Sequence, residues 1–141
     1  MIRARTFSSF TLLVRPARGR QAGELVRVSM EEAAAGLLEG VGVVPDAGGF
    51  ADDSTAMTRH LVARVAGHPG ATLALSADRE SGFVFLRLRA RPELIARAEP
   101  ALLELAALIA AAVPGARIGL RRRGPRATAP QAGGSSAARG S

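Results

Sequence analysis

Residues 71–90 read ATLALSADRESGFVFLRLRA, and the fold turns on this stretch. Residues 71–77 alternate, with Leu73 and Leu75 on one side and Thr72, Ala74 and Ser76 on the other. The run Asp78-Arg79-Glu80-Ser81 supplies turn residues, and residues 82–90 alternate again. Period-2 patterning on both sides of a short polar turn is the signature of a β-hairpin. It places Val84, Leu86 and Leu88 toward a core. Phe83, Phe85, Arg87 and Arg89 fall on the opposite face, since successive side chains of a strand point to opposite sides.

Outward from the hairpin, Pro92 suits the first turn of a helix running to about residue 113. Its stripe is Leu94, Ala98, Leu102, Leu105, Ile109 and Ala112, and Pro100 either kinks it or begins a second segment. Residues 117–122, RIGLRR, read as a closing strand. Upstream, Met57, Leu61 and Val65 recur every four residues with Val62 beside them, which predicts a helix over 55–66 capped by Asp52, Asp53 or Ser54. Residues 44–54 read as a loop. Residues 6–15 read as a strand and 24–28 as a short second strand. Ser29 and Glu32, at capping-box spacing, are expected to open a helix ending near Gly40 and Gly42.

The expected fold class is α+β: two layers, a mostly antiparallel sheet with helices on one face. The expected domain runs over 6–123. Residues 124–141, rich in Pro, Gly, Ser and Ala, read as a disordered tail with nothing to bury.

The chain of 141 residues has no cysteine, so disulfides, thiolate catalysis and Cys-ligated metals are excluded. No apolar run reaches the roughly 18 residues needed to span a bilayer. The absence of Lys and Asn and the wealth of Ala, Arg, Gly and Pro suggest a GC-rich, bacterial genome. The net charge of +7 is unevenly placed. Residues 1–20 carry five Arg and no acid, and 105–141 carry six Arg and no acid, whereas 21–104 carry eight Arg against twelve acids. The ends are therefore basic and the body mildly acidic, a distribution unlike that of a domain built around a phosphate-binding surface. The Arg- and Ser-rich, acid-free residues 1–20 have the composition of a transit peptide, and a basic first strand is the favoured reading.

Catalytic chemistry finds little material. His60 and His68 are eight apart, which is no metal-binding pair on one helix face. Asp52, Asp53 and Ser54 read as caps, and Asp78 and Glu80 as turn residues. GVGVVPDAGG (40–49) lacks the spacing of a phosphate loop. No catalytic, cofactor or metal residues are therefore assigned, no cofactor is expected, and the protein is read as a non-enzyme. Residues 81–88 partly fit the RNA-recognition signature: Gly82, Phe83 and Phe85 match and Leu86 is a fair stand-in. Ser81 replaces its basic residue, Val84 its small one and Leu88 its last aromatic.

Residues 57–120 resemble the C-terminal domain of the flagellar hook-length control and type III secretion substrate-specificity-switch family. The residues that carry the resemblance are MTRHLVARVAG taken as a helix, ATLALS and FVFLRLRA as strands, PALLELAALIAAAVPG as a long helix and ARIGL as a closing strand. The family's usual Pro-x-x-Leu-Gly turn is absent. The resemblance implies a protein-interaction module of a bacterial export apparatus, cytoplasmic or secreted without a signal peptide, docking on an export-gate component. Phe83, Phe85, Arg87 and Arg89 are the candidate partner-binding residues. The alternative is a small RNA- or nucleic-acid-binding protein using the same four residues and the basic ends.

Overall fold

The computed structural model describes residues 6–16 and 19–124. Residues 1–5 and 17–18 of the transit-like segment 1–20, and residues 125–141 of the expected tail 124–141, lie outside the described residues. The elements run β1 (Ser8–Arg15), α1 (Gly19–Glu39), β2 (Pro45–Asp52), β3 (Thr58–Val65), β4 (Thr72–Asp78), β5 (Val84–Ala90), α2 (Pro92–Ala112) and β6 (Arg117–Arg123). One six-stranded sheet has the order β2-β3-β4-β5-β1-β6, with every neighbouring pair antiparallel. Both helices pack on one face, and against each other. The protein is thus a two-layer α+β fold. Strands β6-β1-β5-β4 with the two helices form a split β-α-β arrangement, in which β5 lies between the parallel β1 and β4. The β2–β3 hairpin, inserted after α1, widens the sheet.

The hairpin at 71–90 forms in the expected register, with Leu75 opposite Leu86 and Leu73 opposite Leu88. Asp78 holds its turn. Its backbone N–H donates to the Phe83 carbonyl (2.8 Å), and its carboxylate accepts from the Ser81 N–H (2.8 Å). Gly82 has φ 79°, a conformation side chains rarely adopt. Val84, Leu86 and Leu88 are buried with Phe10, Leu12 and Val14 of β1 beneath Leu94, Leu102, Leu105 and Ile109 of α2. Full burial of side chains of this size is worth about 1.5–3 kcal/mol each, which makes this layer the main source of stability. Pro92 opens α2, and Pro100 lies within the one continuous helix. Ala112 of the expected stripe is exposed, and Leu120, on the helix side of β6 opposite Leu12, is 43% exposed because β6 is an edge strand.

Three expectations are corrected. Residues 24–28 are helical, part of α1 rather than a strand. Val26, Met30, Ala34 and Leu38 form a buried i, i+4 stripe that outweighs the β preference of Val26 and Val28. Ser29 therefore lies inside the helix instead of capping it. Residues 55–66 are not helical: Thr58–Val65 is strand β3. A spacing of four is also a multiple of two, so Leu61 and Val65 share a face in either conformation. In the strand they are joined on it by Ala63, while Met57 is 53% exposed. Residues 44–54 are mostly strand, β2, which pairs with β3 across a register shift between Pro45 and Phe50. The polar residues expected to cap a helix instead close the β2–β3 turn. Asp52 Oδ1 accepts from the Ser54 N–H (3.0 Å), Ser54 Oγ from the His60 N–H (2.9 Å), and Thr55 Oγ1 from the Thr58 N–H (3.0 Å).

Candidate nucleic-acid interface

The face of the sheet away from the helices has no covering layer among the described residues. Its composition follows from strand parity and register. On β5 it presents Phe85, Arg87 and Arg89, with Phe83 just before the strand. The pairing of β1 with β5 sets Leu13 beside Phe85, Thr11 beside Arg87 and Ser9 beside Arg89. The pairing of β1 with β6 adds Arg117, Gly119, Arg121 and Arg123 opposite Arg15, Leu13, Thr11 and Ser9. Thus Arg15, Arg87, Arg89, Arg117, Arg121 and Arg123 share one face, all exposed. Strands β1, β5 and β6 contain no Asp or Glu. Among the described residues, none of these six arginines makes an ion pair.

Guanidinium groups and aromatic rings interleave. Arg15 lies over Phe83 (5.3 Å to the ring centre), Arg87 over Phe85 (5.1 Å) and Arg89 over Phe7 (4.7 Å). Such contacts hold a cation in place while leaving its outward N–H groups available. Arg87 Nε also donates to Thr11 Oγ1 (3.1 Å). Phe83 is 39% exposed. The Phe7 ring lies over Gly70 (φ +83°), where a Cβ would come within 2.6 Å of Phe7 Cζ, so this glycine is needed to seat the ring. A cavity of about 380 Å³ opens on this face, floored by Leu13, Phe85 and Gly119 and walled by arginines.

The carboxylates are elsewhere. Glu31, Glu32, Glu39, Glu93, Glu99 and Glu104 are on the helices. The three consecutive arginines of β6 show the partition. Arg121 and Arg123 face the open side, but Arg122 turns to the helices, pairs with Glu99 and lies over Phe10 (5.4 Å). That pair holds the Glu99 carboxyl below its usual range and raises Arg122 further. Asp52 and Asp78 are likewise lowered, mainly by hydrogen bonds from Ser54 and from Ser81. Of the body's twelve acids, seven are on the helices, five are on β2, β4 or the adjoining turns, and none is on β1, β5 or β6. Residue counting along the chain hides this.

The structure brings Phe83, Phe85, Arg87 and Arg89 together as expected from alternation. Sequence reasoning missed Leu13, Arg15, Arg117, Gly119 and Arg121, although their strands show the same parity. Two of the three departures from the RNA-recognition signature, Val84 and Leu88, are fully buried on the helix side. They remove nothing from the open face.

Other candidates are weaker. His60 is on β3, not a helix, and its Nδ1 lies 3.2 Å from Ser76 Oγ. Ser76 is 6% exposed, too enclosed to act as a nucleophile on a macromolecule. No group of three His, Cys, Asp or Glu positioned for a metal occurs among the described residues. No helix among them is long and apolar enough to cross a membrane. A second cavity of about 480 Å³, between α1 and the β2–β3 hairpin, is lined by Met30, Leu38, Val43, Phe50 and Leu61, with Glu31 and Glu39 at its polar side.

No family model matches the chain, and no curated protein matches it. Among solved structures, a de novo designed protein with a ferredoxin fold, determined by solution NMR, is similar at 15% identity. The match covers 89% of this chain and 91% of that one, with a TM-score of 0.49. At that level the likeness carries no functional weight.

Proposed function

We propose that the protein binds single-stranded nucleic acid on the open face of its sheet. One observation carries this reading: six arginines without an ion pair among the described residues share a face with the exposed Phe83 and the half-buried Phe85, and the three strands of that face hold no carboxylate. Arginines supply a sequence-independent attraction to phosphates, and aromatic rings supply stacking platforms for bases. A sheet with two aromatics on a central strand is one way proteins read single strands. The electrostatics oppose the simplest competing occupant, a second copy on the same face, because like charge would meet like. The export-apparatus reading rests on the sequence resemblance alone, and MTRHLVARVAG, taken there as a helix, is largely strand β3.

The test is fluorescence anisotropy of a labelled single-stranded oligonucleotide at about 150 mM salt. The intact chain should bind, and the double substitution Phe83→Ala/Phe85→Ala should weaken it by about 1–3 kcal/mol for each stacked base lost. Arg126→Ala/Arg139→Ala, outside the described residues, should change little. If those two arginines carry the binding and the two Phe do not, the open face is not the site.

A further inference from the structure

The register of β5, β1 and β6 puts an apolar row across the open face: Phe85, Leu13 and Gly119. The row on one side of it is Arg87, Thr11 and Arg121. The row on the other side runs from Phe83 through Arg15 to Arg117. Same-face rows along a strand lie roughly 6.7 Å apart, so the two cationic rows stand roughly 13 Å from each other. Between them is the cavity of about 380 Å³, within the roughly 300–1,000 Å³ range of small-molecule sites. Its floor dips at Gly119, where a Cβ would meet nothing within 4 Å. A glycine is a poor strand residue with no side chain to pack, and inside a strand it often marks a bulge, a tight bend or a site where a ligand or another backbone approaches closely.

We infer that this trough is a subsite for one nucleotide. The base settles over the gap at Gly119 against Leu13 and Phe85, displacing the Arg87 guanidinium from that ring toward the flanking phosphate. The flanking phosphates meet Arg87 and Arg121 on one wall and Arg15 and Arg117 on the other. The ligand class is a nucleoside monophosphate unit within a single strand. This deepens the nucleic-acid reading and rests on it. It makes Gly119 a specificity-determining absence, since any larger side chain there would occupy the place of the base.

Gly119→Val tests it on the full chain. Valine favours strands, and the site has room for its Cβ, so the melting temperature should hold or rise. Affinity for a single-stranded oligonucleotide should fall by about tenfold, the loss of one stacked base. Unchanged affinity overturns the trough but leaves the wider reading intact, provided Phe83→Ala still weakens binding. Failure of the unmodified chain to bind any oligonucleotide overturns both. A second measurement covers the case in which the variant does not fold. In the unmodified protein, adenosine monophosphate should shift the Leu13 methyl signals by ring current, whereas inorganic phosphate at the same concentration should not. Silent Leu13 methyls, or equal shifts from phosphate alone, contradict the inference.

Discussion

The two faces of strand β5 differ in what the fold asks of them. Toward the helices, Val84, Leu86 and Leu88 are buried against β1 and α2, and their identity is dictated by packing. On the other side Phe85, Arg87 and Arg89 touch only neighbours on the same surface, through ring–guanidinium contacts and one hydrogen bond. Nothing in the core requires those residues. Six arginines gathered on one surface, with no acid in the same strands, carry a repulsion that a fold selected only for stability would relieve with a carboxylate. The sheet's helix side shows such relief where Arg122 pairs with Glu99. The difference separates residues that hold the protein together from residues available to meet a polyanion.

The comparison breaks most visibly at Leu88. Leu88→Ala, at a fully buried position, should cost about 2–5 kcal/mol in chemical denaturation. Near-normal stability would mean that this face is not the core described. Gly70→Ala comes next. Its φ of +83° and the overlap with Phe7 should make it destabilising by at least about 1 kcal/mol, with the Phe7–Arg89 contact disturbed. Arg121 and Arg122 give a finer contrast, being adjacent in sequence and opposite in facing. Arg121→Ala should leave stability unchanged and reduce the slope of log affinity against log salt by about 0.7, the value for one phosphate contact on a single strand. Arg122→Ala should do the reverse, lowering stability slightly and leaving the salt slope intact.

The smallest effect concerns acid. Glu99 is held below the usual glutamate range by Arg122. The stability it lends is therefore complete at neutral pH and lost as pH falls through its lowered value, because protonation removes the charge the pair needs. Arg122 stays charged throughout. Glu99→Gln should remove that part of the acid dependence, seen as a flatter plot of melting temperature against pH below about 5. An unaltered plot would show that the pair does not form in solution.

Legibility in the sequence followed the range of the forces at work. Strands β1, β4, β5 and β6 and helix α2 show strong local periodicity and were readable. β3 was misread because its every-fourth-residue spacing serves a strand as well as a helix. β2, sequence PDAGGFAD, has almost no strand preference and is extended because β3 pairs with it. For the site, alternation alone grouped Phe83, Phe85, Arg87 and Arg89. The remainder depends on which strands become neighbours. Leu13 and Gly119 are more than a hundred residues apart and meet only through the β1–β6 register. The acidic average of the middle segment pointed away from nucleic acid because linear counting cannot separate the acid-free strands β1, β5 and β6 from the helices, β2 and the turns that hold the acids.

The most direct measurement is an NMR titration of the isotope-labelled protein with a short single-stranded oligonucleotide. The account expects the backbone amides of β1, β5 and β6, with the Phe83 and Phe85 ring signals, to shift progressively, while the outer surfaces of α1 and α2 stay still. Shifts confined to the helices, or to residues beyond 124, would contradict it.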